Sequence, residues 1–141
     1  MKKKRSGFSL VELVVVVLIL GVLAAIAAPR YFNSAKNATD NSVRSNLSLI
    51  RSAIEKYAAD NNGVLPGQSD DLAGDLVNYI RGPFPKCQVG SKNNSVHHIT
   101  GAPVYDAGQT ESWIYSKDQG DIIVNHNDNT TFDPTLTYDQ L

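Results

Sequence analysis

Cysteine is almost missing from this chain. Cys87 is the only one in 141 residues, so no intramolecular disulfide can form. A small exported domain without a disulfide must be held by packing, a metal or neighbours. Excess charge of one sign is missing too. Thirteen Lys and Arg stand against 14 Asp and Glu, for a net charge of −1 and a pI near 6.3. Bulk electrostatics therefore gives no reason to expect nucleic acid as a partner. There is no Gly-rich phosphate loop, no zinc spacing and no nucleophile motif around Cys87. Cys87 reads as a partly buried thiol. His97 and His98 lie in a polar stretch with no acid close in sequence, and read as surface histidines. These absences leave no catalytic constellation, and the chain is not expected to be an enzyme. Its length suits one domain with one modest core.

What the chain does have is one long apolar run. Phe8 to Ala28 is interrupted only by Ser9 and Glu12. As a helix these residues span about 31 Å, close to the roughly 30 Å hydrocarbon core of a bilayer. Mean hydropathy over the whole chain is −0.22, so one end is membranous and the rest soluble. Lys2, Lys3, Lys4 and Arg5 precede the run and should stay cytoplasmic by the positive-inside rule. An ionised acid inside such a run is costly and is a functional hypothesis by default.

The run admits three readings. A secretory signal peptide fits the basic start and the Ala25-Ile26-Ala27 sequence, and would make the remainder a secreted protein, an enzyme included. It places Glu12 near the start of the apolar region and Pro29 beside the cut. A plain membrane anchor, with the head as a monomeric binding module, fits the length but leaves Glu12 unexplained. The third reading starts from Lys2-Lys3-Lys4-Arg5-Ser6-Gly7 followed by Phe8-Ser9-Leu10-Val11-Glu12-Leu13. This stretch resembles the prepilin signal of type IV pilins and type II secretion pseudopilins, in which a basic leader ends in Gly before Phe, with Glu four residues after the Phe.

The resemblance implies cleavage between Gly7 and Phe8 by a membrane prepilin peptidase, N-methylation of Phe8, and retention of the apolar helix. Residues 1–7 are then a leader, and their loss takes four of the 13 basic residues, leaving nine against 14 acids and a net charge of −5. Cleavage also creates a positive amine on Phe8, one helical turn from Glu12 and near the positive end of the helix dipole. In the family the acid is thought to pair with the Phe amine of a neighbouring subunit, which would give Glu12 a role in assembly and register.

The helical pattern continues past the membrane stretch. Val43, Leu47, Ile50, Ile54 and Tyr57 step by four and three along one face, with Arg44, Ser48, Arg51, Ser52 and Glu55 between them. Asp60-Asn61-Asn62-Gly63 is the stop signal, with Gly63 expected at C′. The helix is expected from Phe8 to about Asn61, on the order of 80 Å. Pro29 lies inside it and predicts a kink. The expected segments are a leader over 1–7, a transmembrane or filament-core helix over 8–29, its amphipathic continuation over 30–62, and a soluble head over 63–141.

Within the head, Ser69 is the expected N-cap of a short helix carrying Leu72, Leu76 and Ile80. A strand is expected around Val96–Thr100. Ser112–Ser116 and Asp121–Asn125, joined by Lys117-Asp118-Gln119-Gly120, read as a β-hairpin. Trp113 and Tyr115 share one face and Ile122 and Val124 another, which would pack on the Val43–Tyr57 stripe. The expected fold class is α+β and pilin-like: a long N-terminal helix on a small antiparallel sheet. The "FPKCQVG" and "WIYSKDQGDIIVN" segments also look like pseudopilin head segments, most like a major pseudopilin of the G type.

The resemblance implies a structural subunit that turns over no substrate. It would be a prepilin stored in the bacterial inner membrane with its N-terminus cytoplasmic and its head periplasmic or external. From there it would polymerise into a type II secretion pseudopilus. The partners implied are other copies of itself in a helical homopolymer, minor pseudopilins, prepilin peptidase, and an inner-membrane assembly platform with its ATPase. A surface type IV pilin for adhesion, motility or DNA uptake is the alternative. No cofactor is expected, save that major pseudopilins commonly hold Ca²⁺ in a C-terminal loop. Asp118, Asp121, Asn125, Asn127, Asp128, Asn129 and Asp133 supply oxygens in the matching region, without an EF-hand pattern.

Overall fold

A computed structural model describes residues 7–141; Lys2, Lys3, Lys4, Arg5 and Ser6 of the leader lie outside the described residues. Helix α1 is a single element from Leu10 to Asp60, with Pro29 inside it. The chain divides into two compact units between Lys36 and Asn37. The first holds the apolar part of α1. The second holds the rest of α1 and everything after it: α2 (Leu72–Asp75), β1 (Val96–Ile99), β2 (Trp113–Ser116), β3 (Ile122–Val124) and a 3₁₀ turn at Tyr138–Gln140.

In the second unit the apolar stripe of α1 finds its partners. Val43, Leu47, Ile50 and Ile54 are at most 3% exposed and cluster with Trp113, Tyr115, Ile122 and Val124, all fully buried. Tyr57 packs at the edge of this cluster. A row of side chains at four-and-three spacing lies against alternate residues of two strands because both periodicities put their apolar atoms on one face. The opposite face of the hairpin is covered as well, since Ile114 and Ile123 are buried. The two aromatics of β2 spend their polar atoms on loop carbonyls. Trp113 Nε1–H donates to Pro85 O at 3.0 Å, and Tyr115 O–H donates to Pro66 O at 3.0 Å. These two bonds fasten residues 63–95 onto the sheet.

The hairpin turn follows the expected chemistry. Ser116 N–H donates to Asp121 O, Gly120 N–H donates to Ser116 O, and Gly120 takes φ 72°. A Cβ at Gly120 would also stand 2.6 Å from Leu65 Cδ2, so two separate demands select glycine there.

Three local expectations are corrected. The sheet is mixed: β2 and β3 are antiparallel, but β1 pairs with β2 in parallel, Val96 opposite Trp113 and Ile99 opposite Ser116. A parallel pair needs a crossover of a dozen or so residues, and residues 100–112 supply it. The N-cap of α2 is Asp71, not Ser69. Asp70 turns through the left-handed region at φ 62°, and Asp71 Oδ1 accepts the Gly74 N–H at 2.9 Å. At the end of α1, Gly63 N–H donates to Ala58 O at 2.7 Å, which places Asn62 (φ 56°) at C′ and Gly63 one residue beyond.

His98 is half-buried, in edge-to-face contact with Tyr115, and its Nε2 accepts the Leu72 N–H at 3.2 Å at the start of α2. It is a structural acceptor rather than a free surface histidine. Cys87 is buried in the core cluster, and burial pushes its thiol pKa up. α1 is also tied to the C-terminal segment by a buried acid. Asp40 is fully buried and accepts from Thr131 N–H at 2.6 Å and from the Tyr138 hydroxyl. Burial, then the bond to Asp40, raises the Tyr138 pKa.

Two outcomes follow from the head's hydrogen bonds. Asp40→Ala strips the acceptor from the buried Tyr138 hydroxyl and from the part-buried Thr131 N–H, and should destabilise the head by about 2 kcal/mol, read from the chemical denaturation midpoint of the detergent-solubilised chain. An unchanged midpoint would mean that Tyr138 and Thr131 find other acceptors. Burial lowers the His98 pKa below its ordinary 6.5 by penalising the charged ring, and the neutral ring is the form that accepts from Leu72. Below about 6.5 the unfolded chain therefore binds a proton that the folded chain resists. Stability should be flat above that pH and fall as pH drops beneath it. His98→Gln should flatten this slope in thermal melts across pH 5–8.

Candidate assembly segment

The N-terminal part of α1 is apolar on every side, and nothing among the described residues covers it. From Leu10 to Ile26 its Leu, Val and Ile side chains are 45–77% exposed, and Phe8 is 76% exposed. Such a helix has no polar face to turn to water, so it belongs in lipid or among other helices. It is long and apolar enough to cross a membrane by length and composition. Burying each large side chain is worth about 1.5–3 kcal/mol, so the segment as a whole strongly drives insertion or association. A Cβ at Gly21 would meet nothing within 4 Å, so that glycine answers no contact inside this chain.

Glu12 is the one charged residue between Ser6 and Pro29. Its carboxylate does not stand free. Oε2 accepts the Ser9 backbone N–H at 3.0 Å, and Ser9 Oγ accepts the Val11 N–H at 3.3 Å. Ser9 is thus the N-cap, its hydroxyl accepting from N2, while Glu12 at N3 reaches back to the N-cap N–H as in one half of a capping box. The first-turn N–H groups have no intrahelical partner, and in an apolar medium each would be costly unless satisfied. The carboxylate also lies at the positive end of the helix dipole. Sequence reasoning about charge passed over Ser9, although Ser-x-x-Glu before an apolar run is itself a legible signal.

Gly7 and Phe8 precede the helix, outside any regular element and exposed. Glu12 and Phe8 are four residues apart, so one turn separates the carboxylate from the Phe8 nitrogen that cleavage after Gly7 would free. Pro29 has no N–H to offer Ala25, and the helix runs through it. Tyr31 and Phe32 follow, both exposed and edge to face at 6.2 Å.

The oxygens considered for calcium are employed otherwise. Asp118 Oδ1 accepts from Ser116 Oγ and Gly101 N–H, and Asp133 Oδ1 accepts from Thr135. Those bonds hold both carboxyls below their usual pKa. Asn125 bridges Asp106 and Glu111, and Asp128 lies 3.1 Å from His126. Among the described residues no three His, Cys, Asp or Glu side chains converge in a way that could hold a metal ion. In this arrangement the Asp118, Asp133 and Asn125 side chains close loops.

The cap has a local consequence. Ser9→Ala should weaken the first turn by about 1 kcal/mol and so speed amide hydrogen exchange there about five-fold in detergent, with Leu18–Leu23 unaffected. An equal change along the whole segment would show that Ser9 does not act as a cap.

Residues 2–28 match the prokaryotic N-terminal methylation motif. Over 61 residues the chain is 34% identical to the type II secretion system core protein G of Aeromonas hydrophila, 43% of the length of each. Over 84 residues it is 34% identical to the core protein G of Vibrio cholerae, covering 60% of this chain and 56% of that one. Over 60 residues it is 43% identical to the type IV major fimbrial protein FimA of Dichelobacter nodosus, covering 43% of this chain and 38% of that one. The chain thus spans from under two fifths to just over half the length of these curated relatives. No solved structure matches it significantly. By its methylation motif and these relatives, the chain is similar to the core pseudopilins of type II secretion and to type IV fimbrial subunits.

Proposed function

We propose that this chain is a filament subunit of a type II secretion pseudopilus. It is cleaved between Gly7 and Phe8 and methylated on the new Phe8 amine. It is then held in the inner membrane by the apolar part of α1, with the head on the far side. The observation that carries this reading is the bare apolar helix whose only charge, Glu12, lies one turn from Phe8. An anchor needs the apolar length alone. A subunit that must register against neighbours gains from one acid that is penalised unless paired. Polymerisation would bury the apolar faces of many α1 helices together, and a heterologous contact repeated without closure gives an open helical assembly. The work of extraction from the membrane would come from a separate platform and ATPase, and minor pseudopilins would share the filament. No catalytic role is assigned to any residue.

A surface type IV pilin is the second reading, favoured by the 43% identity to the fimbrial protein of Dichelobacter nodosus. The lone, buried Cys87 rules out an intramolecular disulfide loop near the C-terminus of the kind many type IV pilins carry, which supports the pseudopilus.

Intact-mass and N-terminal analysis of the protein from producing cells tests the class. The expected product begins at methylated Phe8; a chain beginning at Ala28 or retaining Met1 overturns the reading. Glu12→Ala should still insert and be processed, because it removes a charge from the membrane segment. Its yield in the sheared filament fraction should fall at least ten-fold, about 1.4 kcal/mol in assembly. Normal assembly of a processed Glu12→Ala chain would remove the register role from Glu12.

A further inference from the structure

Of the asparagines in this chain, only Asn62 is followed by glycine. That order matters chemically. The backbone nitrogen after an asparagine can attack the side-chain amide carbon, and a glycine in that place puts no side chain in the way. The fold sets this pair at the exposed C-terminal end of α1.

Two features of that end hold the reaction off. Gly63 N–H donates to Ala58 O at 2.7 Å, so the attacking nitrogen is occupied. Asn62 is locked in the left-handed region at φ 56°, as the C′ residue of the cap. Both features are lost when the last turn frays, and helix ends are among the first parts of a fold to open. Opening of the cap therefore limits the reaction.

The same turn aims the chain into residues 65–70, which carry the hairpin tip. Leu65 lies against Gly120, where a Cβ would stand 2.6 Å from Leu65 Cδ2. Pro66 O accepts the Tyr115 O–H at 3.0 Å, Gln68 Nε2–H donates to Lys117 O at 2.8 Å, and Asp70 pairs with Lys117 at 2.7 Å. α1 ends on Asp60 and has no basic residue in its last turn. A carboxylate gained at position 62 would sit unbalanced at the negative end of the helix dipole.

We propose that Asn62 is a self-modification site, kept shut by the α1 cap, whose conversion loosens the loop that holds the hairpin tip. Gly63 N forms a bond to Asn62 Cγ. The side-chain nitrogen leaves as ammonia, carrying the proton that Gly63 N gives up, and a succinimide ring remains. Water then opens the ring at either carbonyl, giving aspartate or isoaspartate at position 62. Nothing is oxidised or reduced, and water is the only co-reactant. Both products bring the unbalanced charge. Isoaspartate also lengthens the main chain by one carbon at the residue that must turn left-handed, so the Gly63 bond to Ala58 loses its register. The site is independent of the filament reading, because it needs only the fold of the second unit.

Ageing the full chain in detergent and mildly alkaline buffer, with and without unfolding urea, tests this. Peptide mapping by mass spectrometry should find both products at position 62 in each sample. The native chain should react about ten-fold more slowly than the unfolded one, and exchange of the Gly63 amide should be slowed by a similar factor. Asn62→Gly keeps the left-handed turn and removes the side-chain amide, so it should give no product there. In the aged, converted chain the Gly120 amide should exchange about three-fold faster than before ageing, and in an equally aged Asn62→Gly chain it should not change. Equal rates in the native and unfolded chains overturn the guarding role of the cap. Absence of product at position 62 in the unfolded chain overturns the chemistry. Unchanged Gly120 exchange in converted material overturns the link to the hairpin.

Discussion

Everything else in this protein is arranged around apolar surface that one chain cannot cover by itself. Between Leu10 and Ile26 the helix is hydrophobic all round and bare all round. A soluble helix solves this by offering one face to a core and the other to water. This one has no polar face to offer, so its free energy can fall only in lipid or against other helices. The chain divides into two compact units between Lys36 and Asn37.

Within that surface, Glu12 is the one charge, and an apolar medium tolerates charge poorly. In the single chain it is satisfied by the Ser9 N–H, at the positive end of the helix. That cap meets one of the backbone donors that hydrocarbon would otherwise leave unpaired, and it gives the acid a resting partner before any neighbour is present. An amine freed at Phe8 would compete with a backbone N–H for the same carboxylate. A charged partner makes the stronger hydrogen bond, so the exchange from self-capping to pairing runs downhill once that amine exists.

The head is built by the opposite strategy, with few apolar residues used twice. Trp113 and Tyr115 fill the core against α1 and also hold Pro85 and Pro66 by their polar atoms. Asp40 does for the C-terminal segment what these two do for the middle of the chain, at the cost of a buried carboxylate. With no disulfide available, such long-range hydrogen bonds from buried side chains are what keep loops 63–95 and 125–141 against the helix.

The amino-acid sequence by itself determined the features that local rules govern. The apolar length of α1, its amphipathic continuation and the Gly7-Phe8 to Glu12 spacing depend on residues a few positions apart. So does the hairpin, whose alternation and Lys117–Gly120 turn place Trp113 opposite Val124. The Ser9–Glu12 cap was equally legible, though hidden behind a second motif that uses the same glutamate. Only the tertiary structure decided the rest. Whether β1 lies parallel or antiparallel to β2 depends on the path of a 13-residue connection with no strong local signal. Asp71 displaces Ser69 as the cap of α2 because Asp70 turns left-handed, and His98 then takes the next free N–H from 26 residues away. Asp40 is buried because Tyr138, 98 residues later, comes to meet it. Nothing near any of these residues in the chain announces its partner, because burial and pairing across such separations are properties of the packed whole.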